Sequence, residues 1–271
     1  MKNRNKTLSL SIMSGKGGVG KTNLALSIGY GLFKAGNPVL LMDCDLGLAN
    51  LDVLLGLSPE KNLQDLLRPD VGARDVLAAI EPGGLDFLPA ASGVPELVDM
   101  DEDMQETISG KLTDLLGNYA YVILDLGAGL NQTVLSFASV THLRLVVVTP
   151  EPTSLTDSYA LMKVLFTQYG IEDFYVVINQ AESPAEAKQT FARLHAACLK
   201  FLNINIRLLG AVRHDPTVTE AVRRQTLLMK FAPSAPASKD ILGLAKSLER
   251  MRRERLDSLA DEPVLKKFPV R

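Results

Sequence analysis

The residues Gly15-Lys16-Gly17-Gly18-Val19-Gly20-Lys21-Thr22 fit the spacing G-x-x-x-x-G-K-[S/T]. The glycines let backbone N–H groups converge on an anion. A helix opening at Lys21 adds the favourable potential of its N-terminus. In that setting the Lys21 ammonium neutralises β- and γ-phosphates, and the Thr22 hydroxyl ligates Mg2+. The plain alternative is a glycine-rich turn with a solvated lysine. The position of the loop, directly after an apolar strand and directly before helical periodicity, selects phosphate binding. Lys16 is a second lysine in the loop, and the bare motif permits it as a solvent-facing residue.

Carboxylates stand where such a site needs them. Asp43 ends a second apolar run and Asp45 follows two residues later. At the carboxyl end of a strand, two acids can hold Mg2+ through water and orient an attacking water. Asp125 closes the apolar run Tyr121-Val122-Ile123-Leu124, and Gly127, Ala128 and Gly129 follow it. Those glycines would let the backbone move near a γ-phosphate. Glu151 lies in Pro150-Glu151-Pro152-Thr153-Ser154, and Asp157 is expected to open the next helix. Asn179 ends Phe174–Ile178 with an amide that offers both a donor and an acceptor. His142 and His195 read as structural or surface residues.

The elements that must position these groups alternate along the chain. Strands are expected at Leu8–Ser14, Val39–Asp43, Leu85–Pro89, Tyr121–Leu126, Leu143–Thr149, Phe174–Asn179 and Arg207–Val212. Several are apolar at consecutive positions, as suits strands covered on both faces. Helices are expected at Lys21–Lys34, Asp103–Leu116, Gln132–Ser139, Leu155–Gln168, Ser183–Leu202 and Ser238–Arg255. Ser183, Pro184 and Glu186 supply an N-cap, a first-turn proline and a capping-box acid. The alternation reads as α/β, a doubly wound, mostly parallel sheet flanked by helices.

The bulk properties agree with that class. The chain has 271 residues, 46% apolar and 22% charged, enough to bury a sizeable core. Lys plus Arg is 29 against 31 for Asp plus Glu, so no global charge pulls the chain toward nucleic acid. The two cysteines, Cys44 and Cys198, lie far apart with no CxxC. That argues against a zinc or iron–sulfur site within one chain. No run approaches a membrane span, and residues 1–6 lack the apolar stretch of a secretory signal, so a cytoplasmic protein is expected.

The loop Lys16-Gly17-Gly18-Val19-Gly20-Lys21-Thr22 resembles the deviant Walker A of the MinD/ParA family, P-loop NTPases of the SIMIBI type. The stretch Asp43-Cys44-Asp45-Leu46-Gly47-Leu48-Ala49-Asn50 resembles the family's D-x-D-x-G-x-x-N switch. Asp125-Leu126-Gly127-Ala128-Gly129 resembles its Walker B and second switch. The resemblance implies a Mg2+-dependent, ATP-hydrolysing homodimer. Lys16 would reach the partner's nucleotide, Asp43 and Asp125 would assist the metal shell through water, and Asp45 would position the hydrolytic water. Asn50 and Gly127 belong to the switches. Glu151 and Asp157 would lie at the dimer interface, with Glu151 a candidate partner for Lys16. Asn179 would read adenine, and the loop His214-Asp215-Pro216 would help cover it. Leu46-Gly47 stands where DNA-segregating relatives carry Pro-Gln, which argues against direct nucleic-acid binding.

Further stretches are similar to the flagellar-number regulator branch (FlhG/FleN). They are Pro89-Ala90-Ala91-Ser92-Gly93 with Glu96-Leu97, and Ala221-Val222-Arg223-Arg224-Gln225 with Phe231, Pro233, Ser234 and Ala237-Ser238. That branch implies a flagellar GTPase or a transcription regulator as partner. Many members carry an N-terminal D-Q-A-x-x-L-R motif that stimulates such a GTPase; this sequence lacks it, which puts that stimulation in doubt. The domain is expected to span residues 1–256, with 257–271 as a tail. Leu265, Lys266, Lys267 and Phe268 leave the tail open between a frayed end and reversible contact with the inner membrane. Min-type division-site positioning and DNA partition remain the alternatives.

Overall fold

Leu8–Ser14 forms β1, buried along all seven residues. The period of two sends Leu8, Leu10 and Ile12 to one face of a sheet. Ser9 and Ser11 fall on the other face and find partners there. Ser9 Oγ lies 2.8 Å from His142 Nδ1, and Thr141 Oγ1 donates to Ser11 Oγ at 3.1 Å. The computed structural model describes residues 3, 5–45, 51–89, 110–113 and 115–266.

The further strands are β2 (Val39–Cys44), β3 (Ala78–Glu81), β4 (Leu85–Leu88), β5 (Tyr121–Ala128), β6 (Leu143–Val148), β7 (Phe174–Ala181) and β8 (Arg207–Arg213). Their order is β3-β4-β2-β5-β1-β6-β7-β8. All neighbours run parallel except β3 and β4. This order sets β2, β5 and β1 side by side, so their three carboxyl ends open into one crevice.

The described helices are α1 (Lys21–Lys34), α2 (Leu51–Leu55), α3 (Gln132–Val140), α4 (Pro152–Tyr169), α5 (Pro184–Leu202), α6 (Pro216–Arg223), α7 (Leu228–Phe231), α8 (Pro236–Glu254) and α9 (Leu256–Asp261). Helices α1 and α8 pack with Leu10, Leu41 and Ile123 on one face. Helices α3, α4 and α5 pack with Leu40, Met42 and Val146 on the other. Each fully buried leucine or isoleucine contributes ~1.5–3 kcal/mol to that assembly. Gly31 lets α1 and α8 approach, since a Cβ there would stand 3.2 Å from Ala245 Cβ.

The mostly parallel, helix-flanked sheet is the fold class that the sequence indicates. Three details differ, and a fourth expectation lies partly outside the described residues. The edge strand β3 pairs antiparallel with β4 around Gly83 and Gly84, both at positive φ. Its Ala-Ala-Ile-Glu sequence carries almost no strand signal. Helix α4 begins at Pro152, because a proline at the first helical position is pre-set for the turn. Asp157 therefore sits in the second turn of α4, not at its opening. The expected helix at 103–116 lies partly outside the described residues; within them, 110–113 and 115–116 are helical. Finally, the packed chain continues past 256. Leu259 and Val264 are buried, and Lys266 N donates to Val140 O at 2.9 Å, so the segment to 266 lies on the domain. Two apolar side chains that find the core outweigh the polar composition around them.

Candidate functional site

The loop between β1 and α1 is held in shape from several sides. Ser14 Oγ donates to Lys16 O at 2.6 Å, and Gly129 N donates to Ser14 O at 3.0 Å. Gly15 is pressed against α4: a Cβ there would stand 2.2 Å from the Asp157 carbonyl carbon. Gly20 takes φ +88°, and a Cβ on it would stand 2.6 Å from Asn179 Nδ2. Val19 is buried in the core, which anchors the loop between Gly18 and Gly20.

Lys21 and Thr22 begin α1, so the loop backbone and the helix N-terminus face the same crevice. Lys21 is buried, and desolvation pulls its ammonium below the usual lysine range, against the opposing pull of Asp125 and Asp45. The Thr22 hydroxyl donates to Asp125.

Asp43 and Asp125 are register partners on β2 and β5, which places two carboxylates side by side. Both are buried. Asp43 Oδ1 accepts from Asp45 N at 3.0 Å, and Oδ2 accepts from Leu51 N at 3.4 Å. Burial pushes the Asp125 carboxyl up to about 7. Asp43 and Asp45 push the same way, while the Thr22 bond and Lys21 oppose them. Its Oδ1 has no hydrogen-bond partner among the described residues. A buried carboxylate oxygen left unpaired beside two further acids is a place for a cation or a cation-bound water. Among the described residues no cluster of three His, Cys, Asp or Glu could hold a metal by itself. A cation here would need the Thr22 hydroxyl, phosphate oxygens and water as its remaining shell.

Asp45 lies over Gly127: a Cβ there would stand 3.3 Å from Asp45 Oδ1. The two segments thus touch, and a Cβ at Gly127 would require the Asp45 carboxylate to shift by a few tenths of an ångström. Glu151 is the N-cap residue of α4 but does not cap it; its carboxylate instead meets Lys16 Nζ within the same chain. Asn179 is buried and its Nδ2 donates to Val19 O at 2.8 Å. That donor braces the loop, and its Oδ1 is the atom left for an adenine amino group. Pro216 is the exposed first residue of α6, behind the N-cap Asp215. Asn50 lies outside the described residues, as do Ala90–Gly93, Glu96, Leu97, Lys267 and Phe268. Cys44 is buried on the α3–α4–α5 side, where burial, and then Asp43, Asp125 and Asp45, push its thiol up.

The structure therefore brings Gly15 to Thr22, Asp43, Asp45, Asp125, Gly127, Glu151 and Asn179 together. Asp157 enters through its backbone, as the wall behind Gly15. Sequence reasoning missed Ser154, whose hydroxyl accepts from Thr149 N at 3.0 Å at the end of β6. It also assigned no role to Gln180, whose Nε2 would lie 3.8 Å from a Cβ at Gly20. Its position next to Asn179 was the available signal.

Residues 10–229 match the CbiA family, the CobQ/CobB/MinD/ParA nucleotide binding domain. The chain is similar to the antiactivator FleN of Pseudomonas aeruginosa, 36% identical over 240 residues that cover 89% of this chain and 85% of that protein. It is similar to the flagellum site-determining protein YlxH of Helicobacter pylori, 31% identical over 242 residues, 88% of this chain and 81% of that one. Its fold is shared with the septum site-determining protein MinD of Pyrococcus horikoshii, solved with Mg-ADP. There the TM-score is 0.69 at 24% identity, with 90% of this chain and 97% of that chain covered.

Proposed function

The chain belongs to the CobQ/CobB/MinD/ParA nucleotide-binding family, and from that premise we propose a Mg2+-dependent ATPase that dimerises around ATP and switches the placement and number of flagella. One observation carries the chemistry. Lys21, Thr22, Asp43, Asp45 and Asp125 converge where β1, β2 and β5 end, and Asp125 Oδ1 is buried without a partner among the described residues. Thr22, and through water Asp43 and Asp125, would hold Mg2+, which would supply charge neutralisation for the leaving phosphates. Lys21 and the loop N–H groups from Gly15 to Gly20 bind and orient those phosphates. Asp45 holds the water that attacks. Asn179 and the segment at Pro216 take the base.

The dimer face comprises Lys16, Gly127, Glu151 and Asp157, and in it Lys16 serves the partner's nucleotide. Hydrolysis is slow and rises with a partner, a flagellar GTPase or a transcription regulator. The similarity to FleN, an antiactivator, and to YlxH, a flagellum site-determining protein, supports the flagellar role. The end of the tail, at Leu265, Lys266, Lys267 and Phe268, supplies reversible contact with the inner membrane. No helix among the described residues is long and apolar enough to cross a membrane.

Asp45→Ala should bind ATP, hydrolyse it slowly and accumulate as a dimer by light scattering. Adding Lys16→Ala should leave ATP affinity within roughly tenfold, ~1.4 kcal/mol, and abolish the dimer. Equal ATP-dependent dimerisation of both proteins would refute the dimer mechanism. Wild-type single-turnover rates in Asp45→Ala would refute the role given to Asp45.

A further inference from the structure

Gln225 closes α6 in a conformation that its residue type disfavours, with φ +48°. Gln225 N donates to Val222 O at 3.0 Å and Thr226 N donates to Ala221 O at 3.1 Å. This is the Schellman pattern of helix termination, whose left-handed position usually holds glycine. The glutamine side chain supplies what glycine cannot. Its Nε2 donates to Val53 O at 2.8 Å, on α2. Gly56, at φ +63°, lies directly beneath it. A Cβ at 56 would stand 3.3 Å from Gln225 Oε1 and 3.5 Å from Cδ. Two helix ends, each closed by a left-handed residue, are thus joined by one amide.

Helix α2 is held at its other end as well. Leu51 N donates to Asp43 Oδ2, the carboxylate beside Asp125. Helix α6 is in turn fixed at its start. Asp215 Oδ1 accepts from Thr217 N at 3.0 Å, and Oδ2 accepts from Ala237 N at 3.1 Å. His214 N donates to Ala181 O at 2.9 Å, two residues past Asn179. Eight helical residues make α6 a strut of about 12 Å between the strand end that carries Asn179 and the back of α2.

We propose that Gln225 is a positioning residue that latches α2 to the base-side segment, and so sets Asp43, which Leu51 N holds, for hydrolysis. The inference rests on the ATPase reading for its effect on rate, but the latch itself does not. Without it, α2 keeps its hold on Asp43 only at one end, and ordering α2 becomes part of the activation barrier.

Gln225→Gly retains the left-handed turn and deletes the amide, so folding is preserved. Gln225→Asn also tolerates this conformation, and its amide is one methylene too short to reach Val53 O. In nucleotide-free protein, both variants should show faster amide hydrogen exchange confined to residues 51–57. In steady-state ATP hydrolysis, kcat should fall roughly fivefold, the rate equivalent of one hydrogen bond, at unchanged KM. Unchanged exchange at 51–57 overturns the latch. Faster exchange with an unchanged kcat, or with a raised KM alone, overturns its role in hydrolysis. If the wild-type protein fails to hydrolyse ATP, the ATPase reading falls, and the exchange measurement still decides the latch.

Discussion

Burial makes the Asp125 charge costly in the fold, and Asp125→Asn measures by how much. The carboxyl is lifted from 3.8 to about 7, with burial the largest cause. Between those values the folded chain keeps a proton that the unfolded chain has released. Stability then falls as pH rises, by about 1.4 kcal/mol per pH unit and about 4 kcal/mol in all. Asparagine keeps the volume and an acceptor for the Thr22 hydroxyl while removing the charge. Urea unfolding in metal- and nucleotide-free buffer should therefore show the smallest difference near pH 4. By about pH 8 the variant should be more stable by up to about 4 kcal/mol. Mg2+ and ATP should reverse the order, because a ligand that needs the carboxylate stabilises only the wild-type protein. Parallel pH profiles for the two proteins would refute the reasoning: Asp125 would then be ionised in the folded chain without cost.

Lys21→Ala removes the buried ammonium and should abolish ATP binding by titration calorimetry; unchanged affinity would remove Lys21 from the site. Gly15→Ala drives a methyl to 2.2 Å from the Asp157 carbonyl carbon. That should cost roughly 2 kcal/mol in urea unfolding and weaken ATP binding, as α4 must shift from the loop. His142 is pushed down to about 4, chiefly by burial and then by Lys266, Arg144 and Arg255. The unfolded chain takes up that proton first. Stability that is full above about pH 6.5 should thus be lost by about 3 kcal/mol toward pH 4. His142→Asn, which keeps an acceptor for Ser9 N, should flatten that part of the profile.

The sequence carries the parallel sheet plainly because its strands are buried on both faces. Their consecutive apolar residues, as in Val39–Met42 and Leu145–Val148, leave no competing helical period. The phosphate loop is legible for a different reason: its glycines, lysine and threonine are fixed by local backbone geometry, which spacing records. What spacing does not record is contact between distant segments. The Asp43–Asp125 pairing needs β5 inserted between β2 and β1, and nothing in either strand announces that order. The turn of Asn179 Nδ2 onto Val19 O, and of Gln225 onto Val53 O, likewise depends on tertiary approach. Edge strand β3 and the short helices α6 and α7 are weak in propensity and are stabilised by what they pack against.

The contact between Lys16 and Glu151 shows how little holds the resting chain. Their side chains are 34% and 55% exposed, so solvent screens the pair and its contribution is about 0–1 kcal/mol. In the proposed dimer, a partner's γ-phosphate would offer Lys16 a more highly charged partner, and charge-assisted hydrogen bonds are about twice as strong as neutral ones. On the proposed mechanism, Glu151 therefore does not oppose dimerisation. It keeps the Lys16 side chain extended along the rim of the crevice, which lowers the entropy lost when the ammonium is transferred across the interface. Asp45 and Gly127 stand in the same relation. Their contact spans the two switch segments in the nucleotide-free chain, at a spot where any Cβ would crowd the carboxylate. Both contacts are weak and local. On the proposed mechanism, a γ-phosphate that pairs with Lys16, and the attacking water beside it that pairs with Asp45, would move both segments at once, and loss of the phosphate would return them to these contacts.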